Sequence, residues 1–220
     1  MKSRILSVTL SLVLALFAIS GSIAVPILCR PFYYVHIKML ELPEATGWSE
    51  AEIRAAYDDV MDYLLRDAPF GTGNLKWSES GQSHFADVKV LFRLDLRVFA
   101  ATAILLAALL FLSRYIRPYR FRRYGPSFWA GCGILLLTAV IGALGAMDFD
   151  RAFTVFHGIF FPGKTNWLFD PGTDQIIRIL PEAYFRNCAI LALGLLLICA
   201  ALYLILGRKF RGRQAPKSGI

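Results

Sequence analysis

The sequence predicts an all-α membrane protein with four transmembrane helices and a small, mostly helical extracellular cap inserted between spans 1 and 2. The 220 residues are 56% hydrophobic with a positive mean hydropathy, well above the range of soluble domains. Four apolar stretches are long enough to cross a bilayer as helices. The basic residues are also unevenly divided among the segments that join these stretches.

The most apolar parts of the four predicted spans are 5–25, 98–112, 128–147 and 188–206. The second stretch is short, but it can extend upstream because Arg93, Asp95 and Arg97 can snorkel toward head groups or face a bundle. The first stretch resembles a signal peptide, but its length favours a retained anchor. The predicted segments are 1–27 (N-terminus and span 1), 28–92 (cap), 93–113 (span 2), 114–125 (basic loop), 126–147 (span 3), 148–187 (interfacial segment), 188–207 (span 4) and 208–220 (basic tail).

Charge predicts the orientation of these spans. Of the 24 Lys and Arg residues, 12 lie near the N-terminus, in the 114–125 loop or in the C-terminal tail, and none of the 16 Asp and Glu residues lies there. The positive-inside rule therefore places both termini and that loop in the cytoplasm. The basic pI is then explained by orientation and by attraction to anionic lipid, without a nucleic-acid partner.

The cap segment contains a predicted amphipathic helix over 50–67. Ser49 and Glu52 have the spacing of a capping box, in which each side chain satisfies the backbone N–H of the other. Apolar residues then recur at helical spacing as far as Leu65, with charged residues on the opposite face. Such a helix is expected to pack on the other helices or to lie on the lipid surface.

The first candidate functional residue is His84. Ser83 can cap a helix that runs through Asp87 into span two, which places His84 in the first turn. The positive end of the helix dipole there favours a neutral imidazole, and Asp87, one turn later, could fix its tautomer. On spacing alone, a water-exposed histidine at a helix start explains the pattern at least as well.

The second candidate is His157. Asp148 or Asp150 can cap a short helix that ends near Phe161. An imidazole at an otherwise apolar depth needs a partner, which favours a functional role. Four aromatic residues are expected to form a membrane belt or to line a substrate site: Phe153, Phe156, Phe160 and Trp167.

Several familiar sites are absent from the sequence. It contains no CxxC motif, no Cys/His zinc spacing and no GxGxxG or GxSxG motif. A disulfide between Cys29 and Cys188, both near the predicted outer boundary, remains conceivable. Two other functions also remain open, a metal-dependent membrane hydrolase that uses His84, His157 and Asp87 as ligands, and a non-catalytic scaffold or subunit.

Two motifs resemble the Lit-type family of bacterial lipoprotein intramolecular transacylases, which are four-span membrane proteins. The first is Ser-His-x-x-Asp-Val-Lys-x-Leu-Phe, which begins at Ser83. The second begins at Ala152 with Ala-Phe-x-x-Phe-His-x-x-Phe-Phe-Pro and continues through Trp-Leu-Phe-Asp-Pro to Leu-Pro-Glu-x-Tyr-Phe. The resemblance covers the whole topology, with its diagnostic residues in 78–92 and 151–187.

The resemblance implies an acyltransferase of the bacterial plasma membrane with its active site at the outer leaflet interface. The sn-2 acyl chain of a diacylglyceryl-cysteine lipoprotein would move to the α-amine of the same cysteine, giving a lyso-form lipoprotein. It implies His157 as general base and acid and His84 as the residue that binds the oxyanion or orients His157, although these roles could be exchanged. It also suggests Asp87, Lys89 and Asp170 as residues that orient the histidines or stabilise charge without contacting the reacting atoms. No cofactor, metal, nucleotide or nucleic acid is expected. The enzyme is expected to contact membrane lipids and to be a monomer.

Overall fold

The computed structural model describes residues 2–209, which are almost entirely helical. The α-helices in this range are α1 (Arg4–Leu28), α2 (Arg30–Met39), α3 (Leu42–Thr46), α4 (Glu50–Arg66), α5 (Glu79–Leu112), α6 (Pro126–Met147), α7 (Phe149–Phe160) and α8 (Glu182–Lys209), and a 3₁₀ helix spans Gln175–Arg178. Two short strands, β1 (Lys2–Ser3) and β2 (Arg117–Pro118), pair in parallel. The predicted basic tail lies outside the described residues from position 210 onward.

Four helices, α1, α5, α6 and α8, are long and apolar enough to cross a membrane, which confirms the four predicted spans. The second span is the longest helix rather than the shortest, because α5 continues upstream to Glu79 and covers 34 residues. Many large apolar side chains on these helices are exposed, as expected for surfaces that face lipid, including Ile5, Ile104, Leu136 and Ile190.

The described chain divides into two compact units, with the boundaries inside the four long helices. The first unit comprises 2–22, 97–142 and 193–209. Its core is formed by Ala18 of α1, Ile134 of α6, and Leu196 and Ala200 of α8. A Cβ at Gly131 would lie 2.9 Å from the Ala200 carbonyl oxygen, so only glycine lets α6 approach α8 this closely.

The second unit comprises 23–96 and 143–192 and contains α2, α3, α4 and α7. The predicted capping box is confirmed at the start of α4. The Ser49 hydroxyl accepts the Glu52 N–H at 3.3 Å, and Glu52 Oε2 accepts the Ser49 N–H at 2.8 Å. The predicted apolar face of this helix is buried in the core of the unit through Ile53, Tyr57, Val60, Met61 and Leu64.

Two basic residues of α5 hold the C-terminal end of α4. Asp67 ends α4 in the left-handed conformation, with φ of 59°. Arg93 donates to the Asp67 carboxylate at 2.6 Å and to the Leu64 carbonyl at 3.3 Å. Lys89 lies 3.3 Å from the same carboxylate and 4.1 Å from the centre of the Tyr63 ring. Cations at the negative end of the α4 dipole are favourable, so these contacts stabilise the end of α4 against α5.

Tyr33 of α2 connects the core to the segment that precedes α8. Its ring is fully buried and stacks on Tyr57 at 3.7 Å, with the edge of Tyr184 at 5.1 Å. Its hydroxyl donates to the Ile179 carbonyl at 2.8 Å. A buried hydroxyl and a buried carbonyl thus satisfy each other.

Replacing Tyr33 by Phe should therefore lower the free energy of unfolding by about 1–3 kcal/mol, because the Ile179 carbonyl would remain buried without its donor. Thermal unfolding of the purified protein in detergent measures the effect. Tyr115→Phe is the matched control, since Tyr115 is 73% exposed. Equal midpoints for the two variants would contradict the prediction.

Candidate active site

The position of His84 depends on how α5 begins. The expectation that Ser83 caps this helix is wrong, since α5 begins at Glu79 and Ser83 lies inside it. The capping hydrogen bond is made upstream, where the Ser78 hydroxyl accepts the Gly81 N–H at 3.0 Å. His84 therefore lies in the second turn, so the first-turn dipole argument does not apply to it.

Ser78 is held in this role by Asp174, a residue that the sequence did not single out for the site. The Asp174 carboxylate is 4% exposed and accepts from both the backbone N–H and the hydroxyl of Ser78 at 2.8 Å. A Cβ at Gly81 would collide with this carboxylate, so the close approach requires glycine. The pairing joins positions 96 apart in the chain, and no local pattern could reveal it.

His84 is buried among aromatic side chains. Its ring is 6% exposed and meets the edges of Phe161 and Phe169, with centroid distances of 5.0 and 5.5 Å. Nδ1 is buried and has no hydrogen-bond partner within residues 2–209. A buried polar atom without a partner costs free energy, and a catalytic role is one reason for a protein to keep such an atom.

His157 lies in α7, which Asp148 caps by accepting the Arg151 N–H at 2.9 Å, as predicted. Nδ1 of His157 lies 2.8 Å from the Phe153 carbonyl oxygen. A carbonyl oxygen only accepts, so Nδ1 must carry the hydrogen. In the neutral ring, Nε2 then keeps its lone pair and is available as a base.

The surroundings of His157 favour the neutral imidazole. The ring is 6% exposed and stacks on Trp167 at 4.4 Å, and Phe153 lies 4.3 Å away. Burial lowers the pKa of His157 below its usual value of 6.5, and the hydrogen bond to Phe153 opposes this shift only in part. Near neutral pH, the residue is therefore ready to accept a proton.

The structure brings the two histidines together within the second unit. Their ring centroids are 5.8 Å apart and their planes are inclined by 33°. Phe161 packs against both rings, at 5.0 Å from His84 and 5.6 Å from His157. One functional group of a substrate could therefore contact both imidazoles.

Asp87 was expected to orient His84, but its carboxylate binds other residues. One oxygen accepts from Lys164 Nζ at 2.5 Å and the other from Asn166 Nδ2 at 3.2 Å. Asn166 also donates to the Ser83 hydroxyl at 3.4 Å. Asp87 thus holds the segment that follows α7, which carries Trp167 to the face of His157.

The remaining predicted site residues occupy different positions. Lys89 takes part in the clamp on α4. Asp170 is exposed and accepts the Gly172 N–H at 2.8 Å within its own turn.

The four predicted aromatic residues differ in their distance from His157. Phe153 and Trp167 contact the His157 ring directly, and Phe156 meets it at 5.4 Å with 45% of its own surface exposed. Phe160 is 49% exposed and packs on Phe156.

The sequence also left open a metal site at the histidines and a disulfide between Cys29 and Cys188. Within the described range, no group of three or more His, Cys, Asp and Glu side chains is arranged to hold a metal ion. Cys29 and Cys188 are both free, so the conceivable disulfide is not formed in this structure.

Comparison with known proteins identifies this arrangement. The chain resembles the membrane-integral lipoprotein intramolecular transacylase Lit from Bacillus cereus, with a TM-score of 0.84 at 24% identity over 94% of both chains. It also resembles a structure of that protein in which a histidine is changed to arginine, with a TM-score of 0.77 at 25% identity over 96% of this chain and 94% of that one. A structure with the histidine changed to alanine gives a TM-score of 0.76 at 24% identity over 96% of both chains. These likenesses show the fold. No curated protein sequence matches the chain.

The family model for the lipoprotein intramolecular transacylase Lit matches residues 8–185, which include the segments that carry both histidines. Together with the four apolar helices, this match shows that the chain is a multi-pass membrane protein and belongs to the Lit family of lipoprotein intramolecular transacylases.

Proposed function

We propose that this transacylase moves the sn-2 acyl chain of a diacylglyceryl-cysteine lipoprotein to the α-amine of the same cysteine, with His84 and His157 as its catalytic residues. The observation that carries the proposal is the pair of buried imidazoles 5.8 Å apart. Nδ1 of His84 has no partner among the described residues, and Nε2 of His157 keeps its lone pair because Nδ1 carries the hydrogen.

The reaction is an ester aminolysis within one substrate molecule. The α-ammonium first loses one proton to solvent. The amine nitrogen then attacks the ester carbonyl carbon, and a second proton passes from it to Nε2 of His157 as the N–C bond forms. The bond from the carbonyl carbon to the glycerol oxygen then breaks, and the same proton passes from His157 to that oxygen. Every atom of the substrate is retained, so the mass of the lipoprotein does not change.

His84 serves the intermediate of this reaction. The tetrahedral carbon carries an oxyanion, which needs a hydrogen-bond donor in a site that excludes water. The buried Nδ1 of His84 has no other acceptor among the described residues, so as an N–H it can donate to this oxygen. Because nucleophile and ester belong to one molecule, positioning contributes much of the rate.

The proposal includes the location of the site at the outer leaflet interface of the bacterial plasma membrane. The acidic residues are confined to 28–97 and 148–187, and the strongly basic segments then face the cytoplasm together with both termini. In α7, next to His157, Val155, Phe156, Ile159 and Phe160 are exposed, as expected for a helix that contacts acyl chains. In this topology, 28–92 is the extracellular cap. The proposal also includes that the enzyme acts as a monomer among membrane lipids.

Mass spectrometry of a reporter lipoprotein tests the reaction. The host should make diacylglyceryl lipoproteins but lack its own N-acylation step. The wild-type enzyme should move one acyl chain to the N-terminus without changing the intact mass. An N-terminus that keeps its free amine in the presence of well-expressed, folded enzyme would refute the proposal.

His84→Gln and His157→Gln should each slow the conversion about 10²–10⁴-fold, the usual contribution of one acid–base group. His36→Gln is the matched control. His36 is also buried, at 4% exposure, and its Nδ1 lies 2.7 Å from the Phe32 carbonyl oxygen. Thermal unfolding of all three variants separates loss of chemistry from loss of fold. Equal losses of conversion in the three would contradict the assignment.

Protonation of His157 should also affect stability. Its pKa is lowered in the folded protein, so the unfolded chain binds this proton more readily as the pH falls below about 6.5. The stabilisation that the neutral His157 contributes is fully present above the pKa of this residue in the unfolded chain, and it is lost as the pH falls below that value. The free energy of unfolding of the wild type relative to His157→Gln should therefore decrease between pH 7.5 and pH 5. A difference that is constant over this range would contradict the buried, neutral state of His157.

A metal-dependent hydrolase would use the same two histidines as ligands. The proposed reaction needs only proton transfer and positioning, so treatment with a chelator, followed by exchange into metal-free buffer, should leave the rate of conversion unchanged. Loss of activity that zinc or another divalent ion restores would favour the hydrolase instead.

A further inference from the structure

Two buried polar atoms near the histidine pair have no hydrogen-bond partner within residues 2–209, Nδ1 of His84 and Oδ1 of Asn166. The first is an element of the proposed reaction. The second is a carbonyl oxygen, which accepts hydrogen bonds, and no described residue donates to it.

The orientation of the Asn166 amide is determined by its neighbour. The Asp87 carboxylate accepts the Lys164 ammonium on one oxygen and faces Asn166 with the other. An ionised carboxylate only accepts, so the amide must present its NH₂ group to Asp87. The NH₂ group also faces the Ser83 hydroxyl at 3.4 Å. The amide oxygen therefore points away from both residues.

Asn166 is connected to each histidine through a neighbouring residue. Ser83, which it contacts, is the chain neighbour of His84. Trp167, the next residue after Asn166, stacks on His157 at 4.4 Å. The unpartnered oxygen thus belongs to the segment that borders the reacting pair.

The chemistry of this oxygen selects one part of the substrate. A thioether, a glycerol ester and two acyl chains have no N–H or O–H group to donate. The nearest donor to the reacting ester is the α-ammonium of the cysteine, which carries three N–H bonds. Both Asp87 oxygens already accept hydrogen bonds from Lys164 and Asn166, whereas Oδ1 of Asn166 has no donor among the described residues, so the amide oxygen is the acceptor left for this ammonium.

We propose that Oδ1 of Asn166 binds the α-ammonium of the lipoprotein's N-terminal cysteine and directs it toward the ester. This inference rests on the proposed function and adds an amine subsite to it. After the ammonium has lost one proton to solvent, one N–H of the amine donates to Asn166 and the other points at Nε2 of His157, so the nitrogen lone pair faces the carbonyl carbon. Because Oδ1 is covered while Asn166 as a whole is partly exposed, binding requires a shift of the side chains that cover this oxygen.

The test measures the binding of two unreactive lipopeptides whose glycerol carries ether-linked chains in place of esters. One has the free α-amine and the other is its desamino analogue, which lacks the nitrogen. A hydrogen bond to a charged group corresponds to at least about tenfold in affinity. The wild-type enzyme should therefore bind the free amine at least about tenfold more tightly than the desamino analogue.

Asn166→Leu removes the acceptor and should abolish this preference while the affinity for the desamino analogue stays unchanged. Ser83→Ala removes a contact of the same segment but keeps the Asn166 oxygen, so it should retain the preference. Asn74→Leu is the control for the substitution type, since Asn74 is exposed and lies in the loop before α5.

Equal binding of the two lipopeptides by the wild type would overturn the amine subsite, as would a preference that persists in Asn166→Leu. If Asn166→Leu and Asn166→Ala both lose the desamino analogue as well, the residue holds the fold rather than the ammonium, and the inference fails. The ligands cannot react, so these results are independent of conversion. If the wild type transacylates the reporter but the preference for the free amine persists in Asn166→Leu, only this inference is refuted. If the wild type does not transacylate, the proposed function is refuted.

Discussion

The contact between the Asp174 carboxylate and Ser78 is the constraint on which the site depends. It determines where α5 begins, and therefore which turn carries His84. It also ties that turn to the segment that follows α7 and carries Trp167. The neighbouring backbone strengthens the junction, since Gln175 donates to the Lys76 carbonyl at 3.0 Å and its side chain accepts the Lys76 N–H at 2.8 Å. A buried carboxylate that accepts several hydrogen bonds is costly to move, so this junction can hold the two histidines in register.

The same local structure appears at two histidines with different consequences. His36 and His157 both contact the carbonyl oxygen four residues earlier through Nδ1, and both are buried among aromatic rings. His36 packs against Phe32 and Tyr184 in the core of the second unit. His157 faces a second imidazole. A helix can orient one imidazole through its own backbone, but a reacting pair requires a second element to supply the partner.

The charged residues of the first motif divide between two tasks. Asp87 holds the segment that contains Lys164 and Asn166, whereas Lys89 binds Asp67 at the end of α4. The spacing of these residues on α5 directs them to different neighbours, although they are only two positions apart. One motif thus positions both the site and α4. Its charged side chains bind structural partners and do not contact the reacting atoms.

The sequence alone determined the fold class, the four spans, the capping box of α4 and the identity of the two candidate histidines. These features follow from local rules: the length of apolar runs, the spacing of capping residues and the scarcity of histidine at apolar depth. Tertiary structure alone decided that Ser78 rather than Ser83 caps α5, that Asp87 binds Lys164 and Asn166 rather than His84, and that the two histidines lie 5.8 Å apart. The physical reason is that each of these depends on contacts between residues some 70 to 100 positions apart, whose pairing is determined by packing and burial and leaves no trace in local spacing.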